Sequence, residues 1–215
     1  ARISAWVSFI VEAWRFFLRS VEAFYSACAL YPDRVCRVND LDDSSVSSCC
    51  RGILSIEGGA ALGGKLEHLE EAYALGVRMM TLTWNRDCEL GSGILSSIDR
   101  GLSEFGKAVV LRMNQLGMVA DVSHLSRKGF EDLCALTDQP FVASHSNAYA
   151  VCPNPRNLTD EQIKEIIRRG GLIGLNFHMP FLALSDQDGY APILHHAEHI
   201  LSLGGERVLA IGTDI

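Results

Sequence analysis

The sequence lacks a continuous apolar run long enough to cross a membrane, and no export signal is visible in these 215 residues. The amino-terminal residues 1–17 are apolar, but Arg2, Glu12 and Arg15 interrupt them too early for a membrane span. No small-residue cleavage pattern follows a clean apolar core. The first residue is not Met, so we expect either a processed chain or a fragment.

Blocks of basic residues are also missing. Asp and Glu number 26 against 19 Lys and Arg, which gives a net charge of −7. This balance argues against a general affinity for nucleic acid, so no nucleic-acid partner is expected. Because the 215 residues are 48% hydrophobic and 21% charged, a sizeable core is available, and we expect residues 1–215 to form a single globular domain.

The seven cysteines lack a regular spacing. Their number is odd, and the adjacent pair Cys49-Cys50 suits neither a disulfide framework nor a CxxC metal knuckle. We therefore predict mostly reduced thiols and a cytoplasmic location.

Short apolar segments rich in β-branched residues alternate with amphipathic helices along the chain. Nearly continuous apolar strands of this kind are typical of a parallel sheet that is buried on both faces. The predicted strands are residues 3–10, 52–56, 77–83, 118–123, 141–144, 172–177 and 208–212. Seven strands predict an α/β fold of the (β/α)₈ TIM-type barrel class, incomplete in this chain. An open doubly wound sheet is the competing fold, but no G-x-G-x-x-G turn follows the first strand.

Four metal-capable or acidic residues fall at the carboxyl ends of predicted strands: Glu57, His124, His145 and Asp214. In a barrel these ends share one rim, so the side chains are expected to converge. Glu57 can bridge two metal ions, and His124 and His145 can complete one of them. Asp214 can then accept the proton of a metal-bound water, which is the chemistry of metal-assisted hydrolysis.

Each of these residues also has an ordinary structural explanation. Glu57 can cap the following segment, Asp214 can be a solvated turn residue, and His124 can hydrogen-bond nearby backbone. Burial of all four groups without partners would be costly, so their joint placement at strand ends favours a site.

Arg156 follows Pro155 in a loop beyond the strand that leads to His145. A bidentate contact from its guanidinium can hold a substrate carboxylate, whereas the alternative is a solvated loop arginine. The remaining histidines are expected to serve packing, structural or surface roles: His68, His178, His195, His196 and His199.

Several short motifs follow one another along the chain, over roughly residues 52–214. The clearest are Ser55-Ile56-Glu57-Gly58-Gly59, Thr81-Leu82-Thr83-Trp84-Asn85, Asp121-Val122-Ser123-His124, Ser144-His145-Ser146-Asn147-Ala148 and Ile211-Gly212-Thr213-Asp214. Taken in this order, they resemble the membrane (renal) dipeptidase family, peptidase family M19.

The resemblance implies a (β/α)₈ metallopeptidase that uses two Zn²⁺ ions to hydrolyse dipeptides. It implies that Glu57 bridges the zinc ions and that His124 and His145 bind one of them. Arg156 matches the arginine that binds the substrate carboxylate, and Asp214 matches the acid that handles the proton of the attacking water. Trp84 stands where some members carry a substrate-contacting histidine.

The sequence also departs from the family pattern. The family's first strand ends in a His-x-Asp pair that binds the other zinc, and no His-x-Asp occurs in these 215 residues. The strand at 3–10 would correspond to the family's second strand, and the chain stops just after Asp214. We therefore expect a dipeptidase truncated at both ends and inactive, or nearly so, by itself.

Two alternatives remain open from the sequence: another metal-dependent amidohydrolase, and a non-catalytic barrel homologue. The partner that we expect is a small dipeptide substrate, with no membrane segment in this chain, and we allow for a homodimer.

Overall fold

The computed structural model describes residues 2–38, 49–183 and 191–214. Its strands are β1 (Val35–Arg37), β2 (Cys50–Gly52), β3 (Leu54–Glu57), β4 (Val77–Thr81), β5 (Val119–Asp121), β6 (Val142–Ala143), β7 (Leu172–Leu175) and β8 (Leu209–Ile211). Its helices are α1 (Arg2–Leu30), α2 (Leu66–Ala74), α3 (Glu104–Leu116), α4 (Arg127–Leu136), α5 (Asp160–Arg168), α6 (Met179–Leu182) and α7 (Ala191–Ser202).

Strands β3 to β8 form one parallel sheet in which each strand pairs with the next strand along the chain. At least one helix connects each strand of this sheet to the next, and α4 makes the crossover between β5 and β6. Sequential parallel order with helical crossovers is the arrangement of a (β/α)₈ barrel, whereas a doubly wound sheet reverses its order at a switch point. The predicted α/β class is confirmed, with six of the seven predicted strands in this sheet.

The register of the sheet sets the positions of the candidate site residues. Glu57 pairs with Thr81, Thr81 pairs with Asp121, and Asp121 pairs with Val142. Because the strands are parallel, the segments after these residues all leave the sheet at the same edge. His124 and His145 lie in these segments, so both imidazoles reach the rim where β3 ends.

The predicted strand at residues 3–10 is wrong, because these residues form the first part of the long helix α1. The apolar spacing of three and four that includes Trp14, Phe17 and Val21 extends back through Trp6 and Ile10. No Gly or Pro interrupts the chain before Pro32, so the helix propagates through a segment whose composition alone suits a strand. Helix α1 ends at Leu30, just before Tyr31-Pro32, because the residue that precedes a proline disfavours the helical conformation.

Helix starts follow the capping signals in the sequence. The hydroxyl oxygens of Ser103 and Ser126 accept hydrogen bonds from the backbone N–H groups of Gly106 and Gly129, at 2.9 and 3.0 Å. Helix α5 begins with a capping box, in which the side chain of Thr159 and that of Gln162 each bond the other's backbone. The apolar faces of these helices cover the sheet with buried residues that include Val110, Met113, Leu133, Ile163 and Ile166.

A small parallel pair, β1 and β2, lies apart from the main sheet, and a disulfide joins Cys36 to Cys49 next to it. The sequence does not reveal this bond, because the two cysteines approach each other only through the pairing of β1 with β2. The other five cysteines are free thiols. Within the described ranges, no helix combines the length and the apolar character that a membrane span requires.

Candidate functional site

Three side chains converge at the carboxyl edge of the sheet: Glu57, His124 and His145. The Nε2 atoms of the two histidines lie 2.9 Å apart. Glu57 Oε1 lies 3.1 Å from His124 Nε2 and 3.8 Å from His145 Nε2. Among the described residues, this is the group of His, Cys, Asp and Glu side chains whose ligand atoms lie close enough together to hold a metal ion.

The other nitrogen of each imidazole is occupied by a protein partner. His124 Nδ1 is 2.8 Å from Asn85 Oδ1, and His145 Nδ1 is 2.7 Å from Ser144 Oγ. Both rings are buried, with 6% and 8% of their residue surfaces exposed. Neutral imidazoles held through Nδ1 by a neighbouring oxygen are the usual form of metal-binding histidines.

The charges in this group favour a bound cation. The contact with His124 holds the pKa of Glu57 below its usual value, burial opposes that change, and the positive charge of Arg156 adds to it. Burial lowers the pKa of His124. A carboxylate and neutral imidazoles are the protonation states that bind metal ions.

The backbone at His124 has φ = 70°, a left-handed conformation that is uncommon for residues other than glycine. Two hydrogen bonds hold its carbonyl oxygen in place. The backbone N–H of Ile94 donates at 2.7 Å, and the hydroxyl of Thr83 donates at 3.3 Å. Strained residues held by their surroundings cluster at functional sites, and Asp214 also has a positive φ, at 62°.

Arg156 is buried beside the histidines. Only 6% of the residue surface is exposed, and it lines a small cavity together with His124. Its Nε and Nη2 atoms have no hydrogen-bond partner among the described residues. Burial lowers the pKa of this guanidinium to about 10, although the nearby carboxylates of Asp214, Asp121 and Glu57 act in the opposite direction. Unpaired donors on a buried cation are costly, so they indicate a place for an anionic ligand.

Asp214 and Trp84 lie at the margins of this group. Asp214 is exposed and shares an open cavity of about 200 Å³ with Glu57 and His145. Its Oδ2 accepts a hydrogen bond of 3.1 Å from Asn176 Nδ2. Trp84 is 58% exposed, and its ring centroid is 6.1 Å from that of His124.

The structure thus brings together the residues that the sequence singles out. Glu57, His124 and His145 form one group, whereas Asp214 and Arg156 border it from two different cavities. The sequence reasoning missed the supporting polar residues. These residues are Asn85, Asp121, Ser144 and Asn176. Their positions in the sequence could have indicated them, because each lies at or just after the end of a predicted strand, on the same rim as the candidate ligands.

The remaining histidines lie outside the group. His68 stacks on Trp14 with ring centroids 4.0 Å apart, and His199 Nε2 is 2.8 Å from Asp160 Oδ1. His178 and His195 are exposed. His196 is fully buried, and it connects α7 to the segment after β6. These five histidines therefore serve in packing or lie at the surface.

His196 is expected to make folding sensitive to acid. Its Nδ1 accepts a hydrogen bond from Ala148 N–H and its Nε2–H donates to Leu182 O, at 3.1 and 3.0 Å, so the ring fits only when neutral. Burial lowers its pKa, which means that its stabilising contribution is present above the ordinary pKa of about 6.5 and is lost as the pH falls through the lowered value. Each unit of lowering corresponds to about 1.4 kcal/mol.

Urea unfolding at pH 8, 6.5 and 5 measures this effect. The His196→Asn variant should show a flatter dependence of the unfolding free energy on pH than the unsubstituted chain. The matched control is His195→Ala, which removes an exposed histidine from the same helix and should leave the dependence nearly unchanged. Parallel curves for the unsubstituted chain and His196→Asn would contradict the prediction.

Comparisons with known proteins find a matching family and several similar proteins. The membrane dipeptidase family, peptidase family M19, matches residues 5–215. An uncharacterized protein in the pqqA 5′ region of Klebsiella pneumoniae is 37% identical to this chain over 172 residues. That similarity covers 75% of this chain and 64% of the relative, so the chain spans less than two thirds of the relative's length.

Two solved structures share the fold. The amidohydrolase from Pseudomonas aeruginosa has a TM-score of 0.85 at 25% identity, and the similarity covers 93% of this chain and 62% of that one. A metallo peptidase from Rhodobacter sphaeroides, liganded with a phosphinate mimic of the dipeptide L-Ala-D-Ala, has a TM-score of 0.75 at 36% identity. In that case the similarity covers 84% of this chain and 54% of the other.

Proposed function

Because the chain belongs to the membrane dipeptidase family, peptidase family M19, we propose that the protein is a zinc-dependent dipeptidase that hydrolyses the peptide bond of dipeptides. The observation that carries this proposal is the convergence of Glu57, His124 and His145, whose ligand atoms all lie within 4.8 Å of one another. The same atoms are free to point at an ion because both imidazoles use Nδ1 for protein contacts.

Zinc is the ion that suits this donor set. Two imidazole nitrogens and a carboxylate oxygen recur in catalytic zinc sites that leave a position open for water. Ligand atoms about 2.0–2.1 Å from a tetrahedral ion are about 3.3 Å apart, and the three distances of 2.9, 3.1 and 3.8 Å lie on both sides of that value. A bound zinc ion supplies a water acidic enough to attack a peptide carbonyl at neutral pH.

Arg156 binds the carboxylate of the dipeptide in this proposal. Its unpaired Nε and Nη2 donors match the two oxygens of a carboxylate, and burial excludes the water that would otherwise compete. The Rhodobacter sphaeroides metallo peptidase was solved with a dipeptide mimic, which supports a ligand of this size. Trp84, exposed at the edge of the His124 ring, covers the substrate from the solvent side.

Asp214 accepts the proton of the attacking water. It borders the same cavity as Glu57 and His145, and the hydrogen bond from Asn176 orients one of its oxygens. The other oxygen is then available to take a proton and pass it to the leaving amine.

The experiment combines metal content with hydrolysis on the purified chain. We expect bound zinc. Because these 215 residues contain no His-x-Asp pair for a second zinc ion, we expect cleavage of L-Ala-D-Ala to be slow at most, to stop after chelation and to return when zinc is added. The matched control substrate is L-Ala-D-Ala amide, which lacks the carboxylate that Arg156 binds and should be cleaved far more slowly. A chain that binds no zinc, or whose zinc-dependent cleavage is confined to amides and esters other than dipeptides, would contradict the proposal.

A second candidate is an amidohydrolase that acts on another amide. The TM-score of 0.85 with the Pseudomonas aeruginosa amidohydrolase favours it. The same metal centre would serve both reactions, so the substrate distinguishes them. Hydrolysis assays with a panel of cyclic amides and esters, run beside the dipeptides, distinguish the two candidates. Zinc-dependent cleavage confined to the panel would favour the amidohydrolase.

Two further proposals concern assembly and compartment. The first proposal is a homodimer, and light scattering on the purified chain would measure its mass. For a cytoplasmic location the five free thiols are the supporting observation. The Cys36–Cys49 disulfide is the opposing one, because disulfides persist mainly in oxidising compartments.

A further inference from the structure

A fully buried carboxylate, Asp121, lies at the end of β5 beneath the two histidines. Its Oδ1 accepts hydrogen bonds from the backbone N–H groups of Ser123 and Ser144, at 3.0 and 2.9 Å. Its Oδ2 accepts from the hydroxyls of Thr81 and Ser144, at 2.6 and 2.5 Å. All four partners are donors, so Asp121 acts only as an acceptor and connects β4, β5 and β6.

Ser144 transmits this arrangement to His145. A serine hydroxyl has one hydrogen, and Ser144 gives it to Asp121 Oδ2. The contact of 2.7 Å between Ser144 Oγ and His145 Nδ1 must therefore have its hydrogen on the imidazole. A neutral His145 with a hydrogen on Nδ1 has a lone pair on Nε2, and this atom faces His124 and Glu57.

His124 reaches the same state through a different partner. Its Nδ1 donates to the amide oxygen Asn85 Oδ1 at 2.8 Å, which leaves the lone pair on Nε2. When both rings are neutral, three acceptor atoms, the two Nε2 atoms and Glu57 Oε1, face one another without a hydrogen between them. Their mutual repulsion is relieved when a cation lies between them.

We propose that Asp121, acting through Ser144, is a positioning residue that holds His145 in the Nδ1–H tautomer, and that Asn85 does the same for His124. The consequence for zinc rests on the proposed function, whereas the tautomers are a property of the metal-free chain. The metal-free site is thus ready to bind a cation, because each imidazole has its hydrogen on Nδ1 and a free lone pair on Nε2.

Nitrogen-15 NMR of the histidine rings in the metal-free chain at pH 8 tests the proposal directly. We expect both His124 and His145 to show the hydrogen on Nδ1, against the Nε2–H form that free histidine prefers. This measurement needs no variant. Finding the hydrogen of His145 on Nε2 in the unsubstituted chain would overturn the proposal.

Variants assign each effect to its partner. Ser144→Ala should move His145 toward the Nε2–H tautomer and leave His124 unchanged, whereas Asn85→Leu should do the reverse. Ser144→Thr keeps the hydroxyl and should restore the tautomer of His145. The matched control is Ser146→Ala, which deletes a buried hydroxyl that bonds neither imidazole. A Ser144→Ala chain with an unchanged His145 tautomer would contradict the role of Ser144.

Zinc affinity separates this proposal from the proposed function. We expect Ser144→Ala and Asn85→Leu each to weaken zinc binding by about 10- to 100-fold, as removal of a partner of a ligating histidine usually does. If the unsubstituted chain has the expected tautomers but binds no zinc, the zinc assignment fails and the positioning role stands. If zinc binds tightly and the tautomers are wrong, the positioning role fails and the zinc assignment stands.

Discussion

The His145→Ala variant is expected to bind zinc roughly 10²- to 10³-fold more weakly than the unsubstituted chain. Structural zinc sites with four ligands bind with about 10–16 kcal/mol, which is about 3 kcal/mol per ligand. His145 provides one of the three protein atoms in the group, and no other histidine of the described residues is close enough to replace it. Competition with a chromogenic chelator measures the affinity directly.

The control for this variant is His195→Ala, which removes an exposed imidazole from α7 and should leave the zinc affinity unchanged. Glu57→Gln provides a second test within the site, because an amide keeps the shape of the carboxylate and loses its charge. Equal zinc affinities for His145→Ala and the unsubstituted chain would contradict the assignment of this residue as a ligand.

The Arg156→Met variant is expected to weaken dipeptide binding and to stabilise the fold. The lowering of the Arg156 pKa to about 10 corresponds to a cost on the order of 3 kcal/mol for the buried charge. Methionine has a similar length and no charge, so we expect the unfolding free energy to rise by about 1–3 kcal/mol. Loss of a buried partner for the substrate carboxylate should weaken binding by about 2–5 kcal/mol, which is roughly 30-fold or more.

Urea unfolding and titration with the phosphinate dipeptide mimic measure the two effects separately. Arg156→Lys keeps a positive charge but cannot make the bidentate contact, so it should recover only part of the binding. Arg86→Met replaces an exposed arginine and should change stability by less than about 0.5 kcal/mol. An Arg156→Met chain that is both less stable and equally able to bind the mimic would contradict the proposed role.

The opposite signs of these two effects have one physical cause. A binding site must keep donors unpaired until the ligand arrives, and unpaired buried donors destabilise the free protein. Arg156 has two unpaired nitrogen atoms, and His124 has a positive φ. The fold tolerates both costly conformations because the surrounding structure holds these residues in place.

The sequence alone indicates the helix caps and most of the strands. The caps at Ser103, Ser126 and Thr159 depend on residues three positions apart, so the sequence contains all of their information. Six of the seven predicted strands lie in the parallel sheet, because their apolar runs suit burial on both faces. Parallel order then places Glu57, His124 and His145 on one rim, and the sequence was sufficient to single them out.

Other features were decided only by the tertiary structure. Residues 3–10 have the composition of a strand, yet they continue α1, because helix propagation from Trp14 outweighs a local preference. The partners Ser144 and Asn85 are ordinary polar residues in the sequence, and only the packing of neighbouring strand ends brings them to the imidazoles. The burial of Arg156 and the Cys36–Cys49 bond likewise depend on contacts between distant segments, since charge and thiol chemistry respond to the surroundings that folding creates.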